Sequence, residues 1–260
     1  MAFERIAPGT PEWTAYYANH IQRYSFAAEI LARERVSKIL DVACGVGYGA
    51  HFLASRGSSE IVAVDNDASA LDAARKHFAH PAIRYLQDDC HTLLQAKEHG
   101  PFDAIVSFET IEHLKRPAAF LSACRECLRA SGLLIMSTPN ARVHGEGAKW
   151  EFHEQELTAP EFESVLASAG YRELSFFGQR KTGFGRLRDD IRAELHLLHT
   201  NPFFRLGHLL QRLRHPSYER LPPALAERAE DFEITRIDSA EVCDAQGPAG
   251  PFVIIATARR

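Results

Sequence analysis

From Lys38 onward, short apolar runs alternate with stretches of helical periodicity, and this alternation leaves the chain few ways to fold. The runs are "KILDVA" (38–43), "IVAVD" (61–65), "IRYL" (83–86), "FDAIVSF" (102–108), "LLIMST" (133–138), "YRELSFF" (171–177) and "PFVIIATA" (251–258). Runs of this length suit strands covered on both faces, and the amphipathic stretches at 49–56, 68–79, 117–129 and 160–169 suit the crossover helices between them. The expectation is an α/β fold with a mostly parallel sheet of seven strands. A further amphipathic helix, over 14–35, precedes the first strand. The chain has 260 residues, enough to bury one sizeable core.

One region breaks the rhythm. About 70 residues separate the sixth run from the seventh, too many for a bare loop, so a helical insertion is expected there, its second helix starting after Asn201 and Pro202. The chain then divides into an N-terminal helical cap (1–37), a core (38–179), a helical insertion or lid (180–250) and the last core strand (251–260). The insertion is basic early on, through Arg180, Lys181, Arg186, Arg188, Arg192, Arg205, Arg212 and Arg214, with leucines and phenylalanines interleaved. Such a pattern suits a lid with its apolar face on the core, a grip on an anionic substrate, or peripheral membrane contact through 180–215.

Several function classes are disfavoured. No stretch approaches the ~20 consecutive apolar residues of a membrane-spanning helix. The first residues lack a basic segment followed by an apolar one, so the expected location is the cytoplasm, at the inner face of the membrane if the insertion lies on it. Five cysteines fit reduced thiols. Cys124 and Cys127 form a single CxxC, but "AFLSACRECLRA" reads as a helix with these thiols in its packed face, and no second pair exists to complete a zinc site. A formal net charge of -4 argues against DNA and, with no RNA-binding module visible, against RNA.

The chemistry concentrates in "DVACGVGYG" (41–49), a glycine loop following the first strand. In open α/β sheets ligands bind at such a strand-to-helix turn. A pyrophosphate would want little negative charge there, whereas Asp41 puts a carboxylate at the start of the turn and suits a cationic ligand. Asp65 ends the next strand, 24 residues later, where an acid can accept from both ribose hydroxyls. In "QDDC", Asp89 can accept from an adenine amino group while the Cys90 backbone N–H faces a ring nitrogen. An adenosine carrying a positive substituent fits, and S-adenosyl-L-methionine is such a molecule.

Taken together, "ILDVACGVGYG", "VAVDND", "LQDDC", "FDAIVSFETIEHL" and "SGLLIMSTPN" resemble, in order and spacing, the five motifs of the class I S-adenosylmethionine-dependent methyltransferases. The resemblance covers residues 14–178 and the last strand. It implies a Rossmann-like sheet of seven strands, the last antiparallel. It further implies that Asp41, Ala43, Cys44, Gly45 and Gly47 line the methionine and ribose, that Asp65 holds the ribose, and that Asn66, Asp89, Cys90 and Ser107 flank the nucleoside. "NHIQRYSFA" resembles the "HxxRY" helix of one branch, which would set His20, Arg23 and Tyr24 over the cofactor, with Arg23 suited to the methionine carboxylate.

For the transfer itself the candidates are Glu109, Glu112 and His113 in "FETIEHL", and His153 in "WEFHEQELTAPEF", five residues before Thr158, the expected helix cap. The arrangement resembles O-methyltransferases of sugar and polysaccharide pathways, ubiquinone-pathway O-methyltransferases, and small-RNA terminal 2'-O-methyltransferases. In the last two groups such carboxylates and histidines bind a divalent metal. Three readings stay open: Glu109, Glu112, His113 and His153 hold Mg, Mn or Zn; His153 or His113 is a general base without metal; or Glu112 and His113 merely satisfy the turn. The expected activity is an S-adenosylmethionine-dependent O-methyltransferase, its acceptor a sugar hydroxyl on a glycan, nucleotide sugar or lipid-linked saccharide. The rivals are a quinone precursor or other small phenol as acceptor, and a non-catalytic cofactor-binding partner subunit.

Overall fold

The computed structural model describes residues 11–57, 60–141, 153–182, 231–237 and 251–260. Helix α1 (Pro11–Arg33) leads into β1 (Lys38–Val42), followed by α2 (Tyr48–Ser55), β2 (Glu60–Asp65), α3 (Ala68–His77), β3 (Ile83–Gln87), the short α4 (Leu94–Glu98) and β4 (Phe102–Phe108). A single 3-10 turn (Ile111–His113), α5 (Pro117–Cys127), β5 (Leu128–Pro139), α6 (Ala159–Ser168), β6 (Arg172–Lys181), β7 (Phe232–Ile237) and β8 (Val253–Arg259) complete the chain order.

All eight strands form one sheet in the order β3-β2-β1-β4-β5-β8-β6-β7. Strands β1 to β5 pair in parallel, whereas β8 runs antiparallel to both β5 and β6. This is the expected Rossmann-like sheet with a reversed final strand. It carries one strand more than the seven expected. The addition is β7, antiparallel to β6 with Lys181 opposite Phe232 and Phe176 opposite Ile237. It lies inside 180–250, where only helices were expected. At the sheet edge β7 buries Phe232 and Ile237 but leaves Glu233, Thr235 and Arg236 at least partly solvated, so "FEITRI" lacks the unbroken apolar character of the inner strands. The helices expected elsewhere in 180–250 fall on 183–230 and 238–250, outside the described residues.

Side chains alternate across the sheet and build a core on each face. Leu40 and Val42 of β1 join Ile105, Phe120, Leu121, Phe162 and Leu166 on the α5 and α6 side. Ile39 joins Ala27, Leu31, Leu53, Leu71, Val106 and Ile135 on the α1, α2 and α3 side. Full burial of each such side chain contributes roughly 1.5–3 kcal/mol. Cys124 and Cys127 lie buried in the first core, with both thiol pKa values pushed up by desolvation, that of Cys127 to about 11. They pack as apolar groups, as the helical pattern implied.

Local chemistry fixes the helix starts. The Asp67 carboxylate accepts from the Ser69 N–H at 2.7 Å at the head of α3, and Pro117 opens α5. At α6, Thr158 is the cap as expected: its N–H and hydroxyl both donate to Glu161, at 2.8 and 2.7 Å. No helix among the described residues is long and apolar enough to cross a membrane.

Candidate active site

The carboxyl ends of β1 to β5 share one edge of the sheet, and the motif residues gather there. After β1 the chain turns through three left-handed positions, Ala43 (φ 60°), Gly45 (φ 55°) and Gly47 (φ 85°), which lets the backbone double back before α2. Nothing lies within 4 Å of where a Cβ on Gly45 would point, so a ligand can approach the backbone there. At Gly47 the space is taken: an added Cβ would stand 2.6 Å from the Tyr85 hydroxyl.

Asp65, ending β2, is tied to this turn. Its Oδ2 accepts from Gly45 N–H at 2.8 Å and its Oδ1 from Asp67 N–H at 3.0 Å. Each carboxylate oxygen has a second lone pair for a further donor such as a hydroxyl. Asp41 is fully buried on β1, and its carboxylate accepts from the Tyr24 hydroxyl at 3.2 Å. Burial drives its pKa up to about 7, with the nearby Asp65 charge adding to the rise and the Tyr24 hydrogen bond opposing it.

The α1 residues close over this turn. Tyr24 packs its ring on Gly49 and edge-on against Tyr48 and Phe108. The Tyr48 hydroxyl bonds His20 Nδ1 at 2.9 Å, and the His20 pKa is held well below its usual value by burial and by Arg23. Arg23 is 1% exposed and donates through NH1 to Gln179 Oε1 at 2.7 Å. Its Nε and NH2 are buried without a hydrogen-bond partner among the described residues.

The remaining nucleoside candidates are placed less uniformly. Asp89 is exposed at the end of β3, accepting at 2.8 Å from both the backbone N–H and Nδ1 of His91, which holds its pKa low. Its neighbour Asp88 turns inward and caps Ala96 N–H at 2.8 Å. Cys90 is half-buried and its thiol pKa is pushed up to about 12 by burial. Asn66 is exposed beside Asp65. The Ser107 hydroxyl is fully buried, donating to Val42 C=O and sharing a hydrogen bond with the Thr110 hydroxyl, both at 3.0 Å, so its structural work is to join the ends of β4 and β1.

Beyond β4 stands a second group. Glu112 is buried on the 3-10 turn; its Oε2 accepts from Thr138 Oγ1 at 3.4 Å, while its Oε1 has no hydrogen bond among the described residues and lies 3.9 Å from His113 Nε2. The segment carrying His153 is stitched to this turn, because Glu154 and Gln155 both donate backbone N–H bonds to Glu112 C=O, at 2.9 and 3.2 Å. The His113 and His153 rings therefore meet edge to face, 4.9 Å between centroids. One potential ligand atom from each of Glu112, His113 and His153 falls within 4.8 Å of the others. Glu109 does not join this set. It sits in a left-handed conformation (φ 53°) with its Oε1 accepting from Ser137 Oγ at 2.8 Å.

The group is electrostatically loaded. The Glu112 carboxyl is held well above the usual carboxylate range by burial and then by the Glu109 charge, with Arg23 acting against them. Two residues that the sequence did not single out matter here. Glu156 Oε1 bonds His153 Nδ1 at 3.1 Å, both side chains being mostly buried; the HxxE spacing was the available signal. Gln179 anchors Arg23, yet lies past residue 177, where the sixth apolar run ends.

Residues 39–132 match the model of a known protein family. That model describes a methyltransferase domain. Among curated relatives, a probable S-adenosylmethionine-dependent methyltransferase of Mycobacterium tuberculosis is 32% identical over 67% of this chain and 62% of its own length. The chain thus spans somewhat under two thirds of that relative. A ubiquinone biosynthesis O-methyltransferase of Neisseria meningitidis is 32% identical over 41% of the chain and 45% of its own. Among solved structures, the methyltransferase domain of a bacterial CtHen1 superposes with a TM-score of 0.56 at 20% identity, covering 93% of this chain and 99% of that one. A possible histamine N-methyltransferase from Thermotoga maritima gives 0.54 at 14% identity, over 94% and 96%. Both share the fold of this chain.

Proposed function

We propose that this protein is an S-adenosylmethionine-dependent O-methyltransferase whose acceptor is a sugar hydroxyl of a glycan, nucleotide sugar or lipid-linked saccharide. The observation that carries the reading is adjacency. The turn that carries Glu112 and His113 follows β4 at the same sheet edge where the glycine loop follows β1: Asp41 pairs with Val106, the Ser107 hydroxyl bridges Val42 C=O and Thr110 Oγ1, and Tyr24, which reaches Asp41, packs on Phe108. A nucleoside cradle and a proton-handling group on one sheet edge suit group transfer to a hydroxyl better than binding alone.

When bound, S-adenosylmethionine supplies an electrophilic methyl group on a good leaving group. The protein's own residues do the rest. Asp41 offers negative charge to the cationic part of the cofactor, Arg23 positive charge to its carboxylate, Asp65 acceptors to the ribose and Asp89 an acceptor to the adenine; Ala43, Cys44, Gly45 and Gly47 give the backbone surface on which it lies. His153, held through Nδ1 by Glu156, takes the acceptor's proton, with His113 packed against it. The orphaned buried Oε1 of Glu112 and its mixed nitrogen and oxygen surroundings also fit a divalent metal such as Mg, Mn or Zn; Glu112, His113 and His153 would hold it, and it would acidify the acceptor hydroxyl.

The sugar acceptor rests on the likeness of the "HxxRY" helix and the His153 to Thr158 segment to sugar-pathway enzymes. A phenolic quinone precursor is the second reading, favoured by the similarity to ubiquinone biosynthesis O-methyltransferases.

Incubation with methyl-labelled S-adenosylmethionine and a panel of saccharide and catechol acceptors, with and without chelator, tests this. Label on a saccharide oxygen is expected. Transfer only to catechols would move the assignment to the second reading, and cofactor uptake with no transfer would make the protein a binding subunit. Loss of turnover in chelator, restored by one metal, would place the cation in the reaction.

A further inference from the structure

We propose that Gln179 is a positioning residue for the cofactor site: its neutral amide holds Arg23 in place without quenching the guanidinium charge, and so sets the preference for a nucleoside that bears a carboxylate. The inference rests on the reading of Arg23 given above and deepens it.

Arg23 is buried and no carboxylate pairs with it among the described residues. Its fixed contact is the 2.7 Å bond from NH1 to Gln179 Oε1, and Nε and NH2 remain without partners. A buried guanidinium with unused donors is costly unless an anion completes it. Its neighbours on α1 cover the glycine-loop turn, His20 bonding Tyr48 at the head of α2 and Tyr24 reaching Asp41 and packing on Gly49, so the guanidinium lies on the part of α1 that closes over that turn.

Gln179 is itself fully buried and fully committed. Its Nε2 donates to Asn19 C=O at 2.9 Å and to Gln22 Oε1 at 2.6 Å. A backbone carbonyl only accepts and a guanidinium only donates, so chemistry dictates which end of the amide faces Arg23. The backbone of Gln179 is clamped in the sheet between Val253 of β8 and Ile234 of β7, and its C=O accepts from Phe252 N–H at 3.0 Å. Gln22 in turn donates to Phe232 C=O at the start of β7. Strand β7 thereby helps hold the amide that holds the arginine.

A carboxylate in this place would anchor Arg23 as well, but it would neutralise the charge before any ligand arrived. An amide anchors and leaves the charge. The residue type at 179 thus controls whether Arg23 can discriminate a carboxylate.

The test measures binding by calorimetry of two nucleosides, S-adenosylhomocysteine, which has the amino-acid carboxylate, and 5'-methylthioadenosine, which lacks it. The native protein is expected to prefer the first by roughly ten- to hundred-fold. Gln179→Glu should bring the ratio close to one with little change for methylthioadenosine, and Gln179→Met, which unanchors Arg23 without adding charge, should lower it severalfold; circular dichroism confirms that each is folded. Should the glutamate variant not fold, the methionine variant decides. A native ratio retained in a folded variant would overturn the proposal, as would a native protein that binds both nucleosides equally. A native protein that binds neither would instead remove the methyltransferase reading, and this one with it.

Discussion

The ring of Tyr24 occupies the place a side chain at residue 49 would need: a Cβ built on Gly49 falls 1.9 Å from Tyr24 Cζ. Helix α1 can therefore lie against the start of α2 only because position 49 has no side chain. Gly49→Ala should destabilise the fold by ~1–3 kcal/mol, the usual cost of overpacking, and weaken cofactor binding as Tyr24 is pushed off Asp41. Combining it with Tyr24→Leu should recover part of the loss, which thermal melts of the four proteins would show as a non-additive cycle. Additive losses would mean the contact is not shared.

Asp41 should link cofactor binding to pH. Its carboxyl titrates near 7 instead of 3.8, so in the unliganded protein it is largely protonated at pH 6. A cationic ligand favours the ionised form, and binding at pH 6 should release about one proton. Affinity for S-adenosylmethionine should consequently rise from pH 5.5 to 8. Calorimetry in two buffers of different ionisation enthalpy measures the proton directly, and Asp41→Asn should abolish it. The same raised pKa makes Asp41 a source of stability that is fully present below pH 3.8 and lost as the pH climbs through 7.

Glu156 should matter through His153. Removing its charge in Glu156→Gln keeps a hydrogen-bond acceptor for the ring but no longer stabilises the protonated imidazole. Turnover is expected to fall roughly ten- to hundred-fold, with the KM for cofactor unchanged. A loss accompanied by a raised cofactor KM and a lowered melting temperature would assign Glu156 to folding instead.

Asp65 serves two partners. Asp65→Ala removes both the ribose acceptor and the 2.8 Å clasp on Gly45 N–H, so it should lose nucleoside affinity by more than ~100-fold, beyond what a single hydrogen bond to a charged group provides. Asp65→Asn, which keeps one oxygen for the clasp, should lose less. Equal losses in fluorescence-monitored titrations would show that the clasp contributes nothing.

The parallel half of the sheet was legible because strands covered on both faces must be apolar throughout, and "KILDVA" and "IVAVD" have little room to be anything else. The site was partly legible for a related reason: a carboxylate at the end of such a strand, as at Asp41 or Asp65, is expensive to place without a purpose. His153 was findable from its distance to the Thr158 cap. Gln179 and β7 were not. An amide gains its meaning from three partners distant in sequence, Asn19, Gln22 and Arg23, and an edge strand needs apolar residues on one side alone. Glu109 shows the reverse case, a motif carboxylate that takes a left-handed backbone and bonds Ser137 while the metal-spaced group forms from Glu112, His113 and His153 without it.

Thr182 N–H donates to Asp231 C=O at 2.8 Å, next to the pairing of Lys181 with Phe232. The chain that leaves the sheet at 182 thus comes home to the spot it left, as the handle of a cup returns to the wall. A change in the length of the chain between 182 and 231 therefore leaves its two points of attachment side by side, and the Lys181–Phe232 pairing that seats β7 on β6 can persist through it.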